Sequence, residues 1–157
     1  MVVEYEERIP DFMIFSQPKA EGTYSTVNAI PSSVGHPILI VEIKPLRLGG
    51  SLQDVIATMN HASATRQTSV QACLGLDEYK LDAITVMTAV GLYVRFEEYR
   101  REDVASFLRR AIPLEGAPPS RYARPSSSSE VMYIFNDDMS DYSPGVLERW
   151  REALQLA

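Results

Sequence analysis

The stretch Pro37-Ile38-Leu39-Ile40-Val41-Glu42-Ile43-Lys44 decides how this chain is read. Its first five residues form an unbroken apolar run. A run without polar alternation predicts a strand covered on both faces, at the centre of a sheet. The strand ends in Glu-x-Lys. Side chains repeat every second residue, so Glu42 and Lys44 leave the same face. With a second carboxylate from a neighbouring strand, such a pair can hold a divalent metal and activate water. Pro10-Asp11 supplies that carboxylate at the start of a shorter apolar strand, Asp11 to Ser16.

Working outward, residues 17–36 are rich in Gly, Ser, Pro and Thr and read as a long connection, with a weak strand near Tyr24 to Ile30. Pro45 and Gly49-Gly50 end the central strand. Ser51 with Asp54 three residues later is a helix-start signal. One long helix is expected over Leu52 to Leu74, with Leu52, Val55, Ile56, Met59, Ala62, Val70, Cys73 and Leu74 on its apolar face. Its middle is unusually polar, and Gly75 is the expected C-cap.

Ala83 to Val90 and Leu92 to Tyr99 read as strands around Gly91. Tyr93, Arg95 and Glu97 alternate with Val94 and Phe96, which predicts one wet face. A helix is expected from Glu102 to Ala111. Residues 113–130, with Pro118-Pro119 and Ser126 to Ser129, read as a flexible connection. Val131 to Phe135 is a strand candidate. Ser143-Pro144 opens a terminal helix to about Leu156, striped by Val146, Leu147, Trp150 and Leu154. The order predicts a mixed α/β layer with the long helix packed across the sheet.

Composition bounds the function. The 157 residues favour one domain spanning 1–157. A hydrophobic content of 45% and a charged content of 23% are those of a soluble globular chain. A net charge of −6 argues against tight nonspecific nucleic-acid binding, although a local basic strip can coexist with it. No apolar run reaches membrane-span length, so no membrane partner is expected. The single cysteine, Cys73, excludes an internal disulfide and reads as a buried thiol. The acidic start has no signal-peptide pattern, which makes an intracellular site, cytoplasm or nucleus, the default.

The candidate chemistry follows from ligand type. Mg²⁺ takes hard oxygen ligands and keeps several waters. Asp11 and Glu42 offer two carboxylates, and the Ile43 carbonyl a third oxygen. Lys44 would orient the nucleophile or stabilise developing phosphate charge. His36 has no partner at metal spacing, and His61 reads as a surface histidine, so zinc is not expected. Arg47 is the better phosphate contact. Arg100-Arg101 reads as a solvated edge, and Asp137, Asp138 and Asp141 as loop caps.

Pro10-Asp11…Glu42-x-Lys44 resembles the signature of the PD-(D/E)XK nuclease superfamily. The resemblance covers roughly residues 9 to 99. Ala64 to Leu74, the Val90-Gly91 turn and Arg95 further resemble fungal members of unknown role. It implies a restriction-endonuclease-like αβββαβ core, with Asp11 and Glu42 as metal ligands and Lys44 as a catalytic group. Gln67, on the helix after Lys44 and one turn from Gln71, would be a second catalytic group. The implied activity is Mg²⁺-dependent hydrolysis of DNA or RNA, with Mn²⁺ as a substitute. Few residues precede Pro10, so the family's first helix is expected to be truncated or lacking. A homo-oligomer or a further N-terminal segment would then supply that surface. The alternative is a catalytically inactive nuclease-fold domain acting in protein interaction or oligomerisation.

Overall fold

A computed structural model describes residues 11–15, 37–46, 50–108 and 121–155. Within them the chain is an α/β protein with a six-stranded mixed sheet and four helices. Strand β1 (Phe12–Phe15) is antiparallel to β2 (Pro37–Lys44). Helices α1 (Leu52–Met59) and α2 (Ala62–Glu78) carry the chain to β3 (Ala83–Val90), which lies parallel to β2. β4 (Tyr93–Arg100) returns antiparallel through a turn at Gly91, whose φ of 58° suits a residue without Cβ. Helix α3 (Arg101–Leu108) follows. Two short strands, β5 (Ser127–Ser128) and β6 (Met132–Tyr133), both pair with β4. Helix α4 (Pro144–Gln155) begins with proline at its first position, where the missing N–H costs nothing.

The continuous apolar run of β2 has the expected cause. Ile40 faces a core with Ala72 and Leu76 of α2 and with Ile84, Val86 and Tyr99 of the sheet. Leu39 and Val41 face the other way, into a core with Val94, Phe96, Val146 and Ala153, against which Trp150 packs. Helices α1 and α2 therefore cover one face and α4 the other. Val55 and Met59 anchor α1 on Val90.

Several elements depart from the expected ones. The single long helix is two helices. Asn60 caps α1, its N–H bonding the Ile56 carbonyl, and His61 is extended with its side chain accepting from the Ser63 N–H. The His61 side chain, by taking a backbone N–H for itself, starts a new helix and breaks the expected one. The capping box of Ser51 and Asp54 forms as read. Leu52 and Leu74, placed on the apolar stripe, are exposed. The buried face of α2 keeps Val70 as expected but also carries Arg66, Thr68, Ser69 and Gln71.

Gly75 is not a cap but lies inside α2, against the sheet. A Cβ there would meet the Ile84 Cδ1 at 2.9 Å. The helix ends at Tyr79, and Arg101 from α3 donates to the carbonyls of Leu76 and Leu81 there. Ser126 to Ser129, expected in a loose connection, line the edge of β4. The Ser126 N–H reaches the Glu98 carbonyl at 2.7 Å and the Ser129 N–H the Phe96 carbonyl at 2.9 Å. Their hydroxyls also accept from the N–H groups of Arg100 and Phe96. The weak strand near Tyr24 to Ile30, Arg47, and the first helix all concern residues outside those described. No helix among the described residues is long and apolar enough to cross a membrane.

Candidate functional site

Strand alternation brings Glu42 and Lys44 out beneath α2, while Ile43 between them faces the other side and is half exposed. Gln67 and Gln71 sit one helical turn apart above them. The four side chains form one network. Glu42 Oε1 accepts from Lys44 Nζ at 2.7 Å and from Gln67 Nε2, and its Oε2 accepts from Gln71 Nε2 at 2.8 Å. Lys44 Nζ also donates to Gln67 Oε1, closing a ring of three residues. Glu42 is only 2% exposed. A carboxylate at that depth is costly unless paired and hydrogen-bonded, and here a cation and two amides satisfy it.

Asp11 reaches the same place from β1. Phe12 pairs with Val41, so Asp11 stands opposite Glu42 at the margin of the ladder. Its Oδ2 accepts from the Ile43 N–H at 2.6 Å, and the residue is exposed. The carboxylate is thus held to the backbone between Glu42 and Lys44. The structure joins Glu42, Lys44 and Gln67 in one network, adds Gln71 to them, and holds Asp11 to the neighbouring backbone.

Beside Lys44 a cleft of about 230 Å³ opens between β2 and the α1–α2 junction. Pro45, Asp54, Thr58, His61 and Ser63 line it with Lys44. His61, read as a surface histidine, caps α2 at the mouth of this cleft. Its Nδ1 lies 2.8 Å from Ser63 Oγ and 3.3 Å from the Ser63 N–H. Sequence spacing could not find it, because the helix break that places it there was not anticipated.

The strand expected to show a wet face shows a buried one. Arg95 and Glu97 project beneath α2, and Arg95 Nη2 meets Glu97 Oε1 at 3.1 Å. Arg95 also donates to Asn60 Oδ1 at 2.7 Å and to the Met59 carbonyl at 3.1 Å, gripping the C-terminal end of α1. Burial pushes the Glu97 carboxyl above its ordinary value, against the pull of Arg95. The Tyr99 hydroxyl is likewise pushed up, by burial first and by Glu97 second. The signal for this burial was the polarity of α2, whose hydrophilic residues need partners on the sheet.

The remaining assignments are local. Cys73 packs half-buried against the core, and burial raises its thiol to about 11. Arg100 is exposed and pairs with Glu98. Asp138 Oδ1 accepts from the Ser140 N–H at 2.9 Å and Asp141 Oδ1 from the Tyr142 N–H at 2.7 Å, so both are loop caps.

The donor set fits Mg²⁺ in kind. Asp11 and Glu42 stand opposite each other on adjacent strands, and this ion is satisfied by one or two carboxylates with waters. The described residues hold no cluster of three or more His, Cys, Asp or Glu that could bind a metal by themselves. Both oxygens of Glu42 already accept N–H donors, so binding an ion there exchanges a donor for the metal. No protein-family model, curated protein or solved structure matches this chain.

Proposed function

We propose that this chain is a Mg²⁺-dependent phosphodiester hydrolase of the PD-(D/E)XK type, with a restriction-endonuclease-like core. One observation carries the reading. Lys44 Nζ is held between Glu42 Oε1 and Gln67 Oε1, with Asp11 anchored to the intervening backbone. A lysine needed only for solubility has no reason to be gripped this way beneath a helix.

In this reading Asp11 and Glu42 hold the ion, and Mn²⁺ substitutes for it. An ion held there would supply the Lewis acidity that lowers the pKa of a bound water and polarises a phosphodiester. Lys44 hydrogen-bonds the attacking water or a non-bridging oxygen. Gln67 bonds to both members of the Glu42–Lys44 pair and so fixes their separation. His61, whose Nδ1 accepts from the Ser63 N–H, keeps its Nε2–H to offer to a phosphate chain lying along the cleft. The net charge of −6 is unfavourable for a polyanion, and this places affinity in local contacts rather than in a broad field.

The test is hydrolysis of labelled DNA and RNA, single- and double-stranded, with Mg²⁺ or Mn²⁺. Wild type is expected to cleave at least one class, and Lys44→Ala to lose that activity. Equal cleavage by both proteins would remove Lys44 from the chemistry.

A second reading draws on the saturation of Glu42 by Lys44, Gln67 and Gln71. In it the network is a fixed structural ring, and the chain is an inactive nuclease-fold domain serving protein interaction or oligomerisation. Calorimetric titration with Mg²⁺ separates the two. The hydrolase binds the ion with an affinity weakened by Asp11→Ala, whereas the inactive domain gives no binding heat.

A further inference from the structure

The face of the sheet beneath α2 contains a feature that the Glu42 network does not use. Register aligns Glu42 with Thr88 and Thr88 with Arg95, so one polar row crosses β2, β3 and β4. Its middle member is the least expected. Thr88 is 1% exposed, and its neighbours on the same face of β3 are Val86 and Val90. A valine fills the same space without the penalty of an unpaired hydroxyl.

Among the described residues, the buried side-chain atoms without a hydrogen-bond partner are Gln71 Oε1, Thr88 Oγ1, Arg95 Nε and Glu97 Oε2. All four belong to this neighbourhood. Gln71 donates its amide to Glu42, which turns its Oε1 away from that carboxylate. Arg95 and Glu97 contact each other on β4, next to Thr88. Thr88 and Arg95 are directly paired across the two strands, and residues so paired stand about 5 Å apart, a span suited to a bridging molecule. The set is chemically complementary: Arg95 Nε donates, Gln71 Oε1 accepts, and the threonine hydroxyl does either. A buried water needs two to four such partners.

We propose that Thr88, Gln71 and the Arg95–Glu97 pair bind internal water, continuing the hydrogen-bond network of Glu42 across the sheet and making Arg95 and Glu97 positioning residues for Glu42. The water site stands on the four atoms alone. Its positioning role rests on the hydrolase reading. Through Asn60 and the Met59 carbonyl the same arginine also holds the α1–α2 junction that walls the cleft. The row thereby joins the carboxylate and the cleft into one rigid unit.

Water-to-protein cross-relaxation by NMR on the wild-type chain tests the site directly. Long-lived water contacts are expected at the Gln71 side-chain amide and at Thr88, and their absence overturns the proposal. Thr88→Val supplies a second measurement. If the hydroxyl holds water, its loss lowers the thermal midpoint by roughly 3 °C, and Thr88→Ser retains the cross-peaks. An unchanged or higher midpoint for Thr88→Val means that the hydroxyl was unpaired, and the proposal fails. For the positioning role, Thr88→Val and Glu97→Gln are expected to lower kcat several-fold with KM unchanged. Leu39→Ala, on the opposite face, leaves kcat intact as the control for a merely structural effect. Unchanged kcat in the first two variants ends the positioning role while leaving the hydrolase reading standing. If wild type cleaves nothing, the hydrolase reading and the positioning role fall together, and the NMR and thermal results still decide the water site.

Discussion

The two faces of the sheet are built from the same strands and solve different problems. Toward α4 they present Leu39, Val41, Val94 and Phe96, met by Val146, Trp150 and Ala153. This side is ordinary apolar packing and leaves an apolar cavity of about 360 Å³ beside Trp150. Toward α2 they add to an apolar core around Ile40, Ile84 and Val86 the polar side chains of Glu42, Lys44, Thr88, Arg95 and Glu97, with Gln67 and Gln71 bonded to the first two and Thr68 facing Tyr99. Polar groups under a helix give less net stabilisation than apolar ones of similar size. Both faces carry an apolar core, since Ile40, Ala72, Leu76, Ile84 and Val86 pack under α2 as well, and the difference is that the α2 side also buries a concentration of polar groups.

The strongest test of that division is Lys44→Ala. Hydrolysis is expected to fall about 10³-fold, the range of a positioned proton-transfer or charge-stabilising group. Leu39→Ala breaks the other face. It should cost roughly 3 kcal/mol in denaturant unfolding while leaving the activity per folded molecule unchanged. Loss of catalysis in proportion to folded protein would support the division, and a selective loss of kcat would dissolve it. Cys73 probes how tightly α2 lies on the sheet. With its thiol at about 11, ionisation at pH 8 is roughly a hundredfold below that of an ordinary thiol. Alkylation should therefore be slow until the protein unfolds, and rapid native-state labelling would show that α2 lifts.

The smallest effect concerns pH. The Glu97 carboxyl is raised above its ordinary value of 4.5, chiefly by burial. The native state then holds this proton more tightly than the unfolded chain does. Its stabilising contribution is complete below 4.5 and is lost as pH rises through the raised native value. Relative to Glu97→Gln, wild type should lose stability with rising pH across that window. Parallel stability–pH curves for the two proteins would contradict this burial.

Much of the frame was legible in the sequence because it is carried by local signals. The apolar run before Glu42 announced a doubly covered strand, Ser51 and Asp54 marked a helix start, and Gly91 separated two strands. That Glu42 and Lys44 share one face was legible from strand alternation, and the structure joins both to Gln67 in one hydrogen-bond network. What stayed hidden depends on tertiary partners. Arg95 and Glu97 alternate like a solvent-facing edge, and only the polarity of α2 explains why they are covered. The break at Asn60 and His61 rests on a histidine side-chain cap and on Arg95 holding the Asn60 side chain from the sheet. The serine run before Glu130 has the composition of a linker, yet its hydroxyls and amides suit the edge of β4.

Gly75 has an effect at a distance. It lies one turn beyond Gln71 on the same side of α2, where an added Cβ would press on Ile84, itself buried in the core. Alanine is favoured there by about 1 kcal/mol of intrinsic helix propensity. Yet a helix lifted by a fraction of an ångström would draw the Gln71 amide from its 2.8 Å contact with Glu42. Gly75 therefore acts as a gauge block between helix and sheet. A redesign guided by helix stability alone would replace it and detune a carboxylate it never touches.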